Sequence, residues 1–337
     1  MRVFNMRRPC PFCNKEGTHY FDTFDFNLRL SHESFKYYIC KSCGVIFLHP
    51  IPENMSRFYP DYYPAYDLPT INGLAQKAEQ EKYKLDLLLT YTSHGKLLEI
   101  GPAYGVFAFL AKRAGFHVDT MEMDERCCKF LSDVVGVSVI NSTDICSRLN
   151  EATLYDVIAL WHVIEHLPDP LAVIKAASEK LNPDGILIIA TPNPKSLQFK
   201  IFHRFWAHLD APRHLTLIPP AVLTKVAESQ GLETALVTTR DEGSVNFSRY
   251  NWWDLSVSHA IRYLYSLIKK ESLEEDFHDS ASDKHRTAAS YKIKNQISRL
   301  SRMALRIIDM PVFHLVIKNL QRLEGWGGTY TSVFKKH

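Results

Sequence analysis

Between residues 96 and 239 the chain changes hydrophobic period again and again, and that alternation limits its folds more than any other feature. Short runs rich in apolar and β-branched residues lie at 96–100, 117–121, 137–140, 156–161, 186–190 and 233–239. Stretches of helical period at 106–114, 124–134, 170–181 and 220–230 separate them. Short strands alternating with helices predict βαβ units and a mostly parallel, doubly wound α/β sheet covered on both faces. In such sheets ligands sit beyond the carboxyl ends of the strands, near the point where strand order reverses. Candidate functional residues are therefore sought just after each strand.

Two C-x-x-C pairs precede this region: Cys10 with Cys13, and Cys40 with Cys43. Each pair fits a knuckle that turns two thiolates toward one ion, and four thiolates close a tetrahedral structural zinc site. Gly44 follows the second pair, where a tight turn favours a residue without Cβ. The chain has seven cysteines, an odd number, and four of them lie in these pairs. That usage reads as metal in a reducing compartment and not as a disulfide framework. Cys127, Cys128 and Cys146 lack knuckle spacing and are expected to stay free. The cysteines come before any apolar leader-like run, so no signal peptide is read and a cytoplasmic location is expected.

The first strand ends in Glu99-Ile100-Gly101-Pro102-Ala103-Tyr104-Gly105, a glycine-bearing turn opening a helix. Such a turn lets backbone approach a ligand at a helix N-terminus. It is not the G-x-G-x-x-G of dinucleotide binders. After the second strand stands Glu122, about twenty residues on, where a carboxylate can accept hydrogen bonds from ribose hydroxyls. Asp124 suits the ordinary role of a helix N-terminal acid.

The pattern E-x-G-x-A-x-G resembles the first motif of class I S-adenosylmethionine-dependent methyltransferases, E/D-x-G-x-G-x-G, with Ala103 in place of the middle glycine. Residues 156–170, Asp156-Val157-Ile158 through Val163-Ile164-Glu165-His166-Leu167-Pro168-Asp169-Pro170, resemble the D-V-I-x-x-x-x-V-x-E-H-L-x-D-P segment of a large subgroup of that family. Cys40-x-x-Cys43-Gly44, running on into Phe58-Tyr59 and Tyr62-Tyr63, is similar to a zinc-ribbon-bearing branch that includes sugar C-methyltransferases. The resemblance implies a Rossmann-like seven-stranded sheet with an antiparallel last strand, preceded by a zinc ribbon. It implies S-adenosylmethionine held by Glu99, Gly101, Pro102, Ala103, Tyr104, Gly105, Glu122, Met123, Thr143, Trp161, His162 and Tyr63. Asp144 shares the turn of Thr143 as an adenine-side candidate. For Tyr59, Tyr62 and Tyr63, packing in an aromatic core is the alternative.

A methyl-transfer enzyme must align its acceptor and, for a hydroxyl or carbon acid, remove a proton. Histidine is the natural base near neutral pH. His162, His166, His208 and His214 are candidates, with Glu165 as orienting acid; His166, His214 and Glu165 are favoured. Either Glu165 or His166 could instead help hold a metal, or the pair could simply start a helix. The loop Asp210-Ala211-Pro212-Arg213-His214-Leu215 resembles a family loop closing the substrate side, with Arg213 as an anion contact or a surface ion pair.

The resulting organisation is a ribbon over 1–52, a linker and cofactor-covering segment over 53–84, a core over 85–240 with 326–337, and a helical insertion over 241–325. The segment 327–336 is expected to pair antiparallel with 233–239. Residues 269–294 are charged and poor in apolar groups, and read as a loop. Residues 293–308 carry an apolar stripe flanked by Lys292, Lys294, Arg299, Arg302 and Arg306, which suits a lid on the catalytic core or a helix lying on an anionic membrane surface. With Lys+Arg 40 against Asp+Glu 37, charge gives no reason to expect nucleic acid. No apolar run reaches spanning length. The expected substrate is a small-molecule or lipid- or sugar-linked acceptor, methylated on oxygen or carbon. The rivals are a nicotinamide-dependent oxidoreductase and a zinc-ribbon adaptor with a degenerate nucleotide fold.

Overall fold

In the computed structural model, which describes residues 7–246, 250–269, 319–320 and 323–337, the alternating runs build one seven-stranded sheet beside a smaller five-stranded one. The chain begins with β1 (Arg8–Pro9), β2 (Glu16–Thr23), β3 (Phe35–Cys40) and β4 (Ile46–Leu48), paired antiparallel in order. Helices α1 (Ile71–Gln80) and α2 (Lys82–Leu89) lead into the core. The core then runs β5 (Lys96–Ile100), α3 (Val106–Arg113), β6 (His117–Glu122), α4 (Glu125–Phe130), β7 (Ser138–Asn141), α5 (Ile145–Glu151), β8 (Tyr155–Trp161), α6 (Pro170–Glu179) and β9 (Leu181–Pro192). After α7 (Leu197–Phe202) come β10 (Thr216–Leu217), α8 (Pro220–Ser229), β11 (Leu232–Thr238), α9 (Glu242–Asn246), α10 (Tyr250–Lys269) and β12 (Thr329–Lys336).

The large sheet has the order β11-β12-β9-β8-β5-β6-β7. β5 pairs parallel with both β6 and β8, so strand order reverses at β5/β8 and opens a crevice above their carboxyl ends. β12 lies antiparallel between β9 and β11, with Leu232 opposite Lys336 and Thr238 opposite Thr331, the pairing expected for the last strand.

Strand periodicity divides the core. Leu97, Val157, Ile188 and Val333 face one layer with Phe107 and Ala111 of α3; Leu98, Ile158, Leu187 and Phe334 face the other with Val173 of α6 and Leu223 of α8. Alternate residues of β5 and β8 are thus buried on opposite faces, as in a sheet covered on both sides.

Three local departures from the sequence expectations have physical causes. β9 begins at Leu181, five residues before the strand expected at 186–190, with an irregular opening: Leu181 pairs with Tyr155, the register then shifts, and Asp184 takes φ 62°. Asn182 fixes this bulge by donating to Asp156 Oδ1 at 2.7 Å. The helix expected over 124–134 is α-helical only to Phe130 and widens into a π turn at Leu131–Val135, ended by Gly136 at φ 68°. Helix α5, not expected from the sequence, is capped by Asp144, whose carboxylate accepts from Ser147 N at 3.0 Å.

The small sheet is woven into the core. Its fifth strand, β10, comes from beyond β9 and pairs with β4, Thr216 opposite Phe47 and Leu217 opposite Ile46. Of the insertion, α10 packs on the loop after α7: Ser256 Oγ accepts from Ala207 N at 3.0 Å, and the His259 ring stacks on Phe26 at 5.2 Å. The amphipathic stretch at 293–308 and the charged stretch from 270 to 294 lie outside the described residues. Among the described residues no helix is long and apolar enough to cross a membrane.

Phe334 is fully buried on β12, under α8. Phe334→Ala should cost about 3–5 kcal/mol, read as a lowered denaturant midpoint at unchanged slope.

Candidate active site

The turn after β5 is built on left-handed backbone. Gly101, Ala103 and Gly105 have φ of 66°, 51° and 81°. A Cβ on Gly101 would lie 2.6 Å from Val163, and one on Gly105 2.4 Å from Leu131. Ala103 takes the same backbone region with a side chain, a conformation that costs an L-residue about 1–2 kcal/mol. Glu122, buried at the end of β6, holds the turn: its carboxylate accepts from the backbone N–H of Ala103 at 2.9 Å, Met123 at 2.8 Å and Asp124 at 2.9 Å. Burial raises its pKa, and these three donors pull against the rise.

Beyond the turn lies a cavity of about 620 Å³. One side is lined by Glu99, Gly101, Pro102, Ala103 and Tyr104; Trp161 and His162 continue from β8, and Tyr63 and Pro64 close over the top. Glu99 is buried, and its Oε2 has no hydrogen-bond partner. Desolvation pushes its pKa up to about 8, only partly opposed by Lys84. A buried carboxyl in that state ionises readily beside a cationic ligand. Trp161 Nε1 is likewise buried without a partner.

The opposite side carries the acid–base groups. Glu165 is fully buried, and Thr191 donates to its Oε2 at 2.9 Å. Its Oε1 has no hydrogen-bond partner; His162 Nδ1 lies 3.6 Å away and His214 Nε2 4.0 Å. Burial would raise the Glu165 pKa, but the His162 contact and the nearby imidazoles outweigh it and set it at about 2, so the group is ionised. The His166 and His214 rings meet edge to face at 4.5 Å. His214 Nδ1 lies 2.7 Å from the carbonyl of His208, and His166 Nδ1 lies 3.1 Å from the carbonyl of Arg213. A carbonyl only accepts, so each Nδ1 carries the proton and each Nε2 is left bare. Tyr59 Oη is 3.0 Å from the same His166 nitrogen. Burial and the neighbouring His214 lower the His166 pKa to about 4, which keeps that ring neutral at physiological pH. Glu165, His166 and His214 bring one ligand-capable atom each within 4.8 Å of one another, a spacing that suits a shared proton or a cation.

Arg213 is not the anion contact or surface ion pair the sequence suggested. It is fully buried, and its guanidinium donates to Asp25 Oδ1 and to Asp210 Oδ1, both at 2.7 Å. Among the other expected residues, Thr143 is exposed in the turn after β7 and Met123 is 48% exposed beyond β6; neither lines the cavity, and nor do Gly105 and Glu122, which help shape the 101–105 turn. Tyr62 is 69% exposed, whereas Tyr63 lines the cavity. His208 lines it too, but its carbonyl is what orients His214. Sequence reading missed Asn27 and Leu28, which enter from the small sheet, Glu81 and Lys84 from the α1–α2 junction, and Leu255 from α10. Polar Asn27 and the charged Glu81 and Lys84 had no motif around them to single them out.

Cys10, Cys13, Cys40 and Cys43 converge at the base of the small sheet. Their Sγ atoms approach at 3.6 Å (Cys10–Cys43), 3.4 Å (Cys13–Cys40) and 3.6 Å (Cys13–Cys43). Four sulfurs about 2.3 Å from one zinc ion in a tetrahedron are about 3.8 Å apart, so the cluster has nearly the size of such a site.

Glycine relieves left-handed strain at a cost in chain entropy of about 0.5–1 kcal/mol. Ala103→Gly should therefore stabilise the fold by up to about 1 kcal/mol, seen as a higher denaturant midpoint.

A methyltransferase domain family matches residues 75–237. The chain is 24% identical over 195 residues to the ubiquinone biosynthesis O-methyltransferase of Aeromonas salmonicida, covering 52% of this chain and 77% of that one. It is 26% identical over 155 residues to the enzyme of the same name from Neisseria meningitidis serogroup C, covering 42% and 64%. A solved SAM-dependent methyltransferase from Archaeoglobus fulgidus superposes with a TM-score of 0.47 at 19% identity, covering 77% of this chain and 94% of that one. The matched segment runs from α1 into β11 and carries the glycine turn and the His166 and His214 side of the cavity; residues 75–237 form a methyltransferase domain of the S-adenosylmethionine-dependent kind.

Proposed function

We propose that this enzyme methylates a hydroxyl group of a small-molecule acceptor inside the cavity, with His166 or His214 taking the hydroxyl proton. The observation that carries the reading is the juxtaposition across one cavity: a buried carboxyl with one unpartnered oxygen, beside a left-handed glycine turn, faces two imidazoles with bare Nε2 atoms and an ionised carboxylate. The relatives' O-methyltransferase names agree with an oxygen acceptor.

The residues present fit S-adenosylmethionine, which supplies a methyl group activated on a sulfonium centre. Glu99 offers a buried carboxylate to its positive charge. The nucleoside half would reach beyond the cavity, past the 101–105 turn, where Glu122 would offer its remaining lone-pair capacity to ribose hydroxyls and Met123 would give apolar cover for the base; Tyr63 closes the cavity above. On the other side, the bare Nε2 of His166 or His214 would accept the proton that the acceptor hydroxyl gives up on methylation. Glu165, ionised beside both rings, stabilises the imidazolium that results. The lid reading of the insertion is favoured over a membrane-surface reading because Leu255 of α10 lines the cavity. The cysteine cluster is read as a structural zinc site that braces the small sheet and does no chemistry.

The direct test is transfer of labelled methyl from S-adenosylmethionine to a panel of hydroxyl-bearing acceptors, catechols and sugars included; no transfer to any oxygen, with transfer to carbon or nitrogen acceptors, would overturn the oxygen assignment. On an accepted substrate, His166→Ala and His214→Ala should each lower turnover by about a hundredfold to ten-thousandfold, with cofactor affinity kept. Glu122→Ala should weaken S-adenosylmethionine by about 1–3 kcal/mol in a calorimetric titration, since a charged acceptor is lost. Reductively purified protein should carry about one equivalent of zinc, lost together with thermal stability when Cys40 is changed to Ser.

A further inference from the structure

The two histidines are held by backbone, and that backbone is held from the small sheet. We propose that Asp25, in the loop after β2, is a positioning residue for methyl transfer, acting through the buried Arg213 guanidinium on the segment that orients His166 and His214. The proposal rests on the reading of those histidines as proton acceptors.

Asp25 is completely buried, and both of its oxygens are engaged. Oδ1 accepts from Arg213 Nη2 at 2.7 Å and from Leu28 N at 3.1 Å; Oδ2 accepts from Arg213 Nη1 at 3.3 Å and from Leu30 N at 3.0 Å. The backbone donors fix the carboxylate on its own loop, and the fork fixes Arg213 to the carboxylate. Arg213 also donates from Nε to Asp210 Oδ2 at 2.9 Å and from Nη1 to the carbonyl of Phe58 at 3.4 Å. Each attachment leads to a histidine. The carbonyl of Arg213 receives His166 Nδ1–H, and the next residue is His214. Phe58 precedes Tyr59, whose hydroxyl meets the same His166 nitrogen. A second tie from the small sheet agrees: Tyr37 Oη donates to the carbonyl of His214 at 2.7 Å. Asp25 and Arg213 are 188 residues apart in sequence, so the fork joins the small sheet to the catalytic loop.

The tie does not act by touching the acceptor. It sets which ring nitrogen carries the proton, because the carbonyl that holds His166 Nδ1–H and the backbone that carries the His214 ring toward the His208 carbonyl both belong to the clamped segment. Without the carboxylate charge, Arg213 loses one side of its fork, the 210–214 backbone is released, and the rings can exchange between tautomers.

The test is a long-range ¹H–¹⁵N spectrum of full-length protein labelled at histidine, recorded at a pH where the rings are neutral, with His166→Gln and His214→Gln spectra for assignment. The wild type should show both rings in the single Nδ1–H form. Asp25→Asn should shift both toward an exchange-averaged mixture while S-adenosylhomocysteine, titrated calorimetrically, binds as before. If Asp25→Asn fails to bind S-adenosylhomocysteine and has lost its fold, Arg213→Lys, which keeps the charge but not the fork, gives the same readout. Unchanged tautomers in whichever variant is folded would overturn the positioning role. Turnover that survives His166→Ala and His214→Ala would instead defeat the proton-acceptor reading, and the spectra separate the two failures.

Discussion

A guanidinium with no solvent contact has to be matched by charge and hydrogen bonds where it sits, and Arg213 finds its match in two carboxylates, Asp210 from its own loop and Asp25 from 188 residues away. Removing one partner of such a buried set typically costs about 3–5 kcal/mol, yet replacing the whole set by apolar groups can be neutral or better. The use of the cluster is therefore geometric. Burial would raise the Asp210 pKa, but the Arg213 guanidinium reverses this and holds it well below the usual carboxylate range. Asp25 belongs to the small sheet, Asp210 to the loop after α7, and Phe58 to the segment that covers the cavity. The cation can satisfy all three only when these pieces are in register. The cavity walls follow from that register.

The cavity joins two chemistries that the topology brings face to face. The β5 turn and the end of β8 meet where strand order reverses, so Glu99 and Trp161 share one wall. The loop from Ala207 to His214 returns across the crevice before β10 joins the small sheet, and it supplies the other wall. The small sheet thus does more than precede the catalytic core: its last strand is chain from beyond β9, and its loop puts Asn27 and Leu28 into the cavity.

Much of this could be read from local pattern. Strand β5 has the expected bounds, the expected strands and helices of the core appear in the expected order, and the last strand pairs antiparallel with β11, because short apolar runs and glycine turns are local signals. The glycine turn, the Glu165–His166 pair and the cysteine knuckles were visible for the same reason. The misreadings concern what a residue meets far along the chain. Arg213 was singled out in a recognisable loop, but Asp25 lies in a stretch with no motif, and nothing in either segment indicates that they pair. Thr143 followed the right strand, yet the short helix α5 and its cap leave it facing solvent. Ala103 stands where the motif has its middle glycine, and the consequence in the structure is conformational, an alanine at φ 51°.

We propose that one cavity holds the methyl donor on its Glu99 side and the proton acceptors on its His166 side. A crystal structure with S-adenosylhomocysteine bound tests it most directly. The sulfur should lie inside the cavity between the 101–105 turn and the two imidazoles, with the ribose toward Glu122. A nucleoside bound outside this crevice, or a sulfur walled off from both His166 and His214, would contradict the assignment.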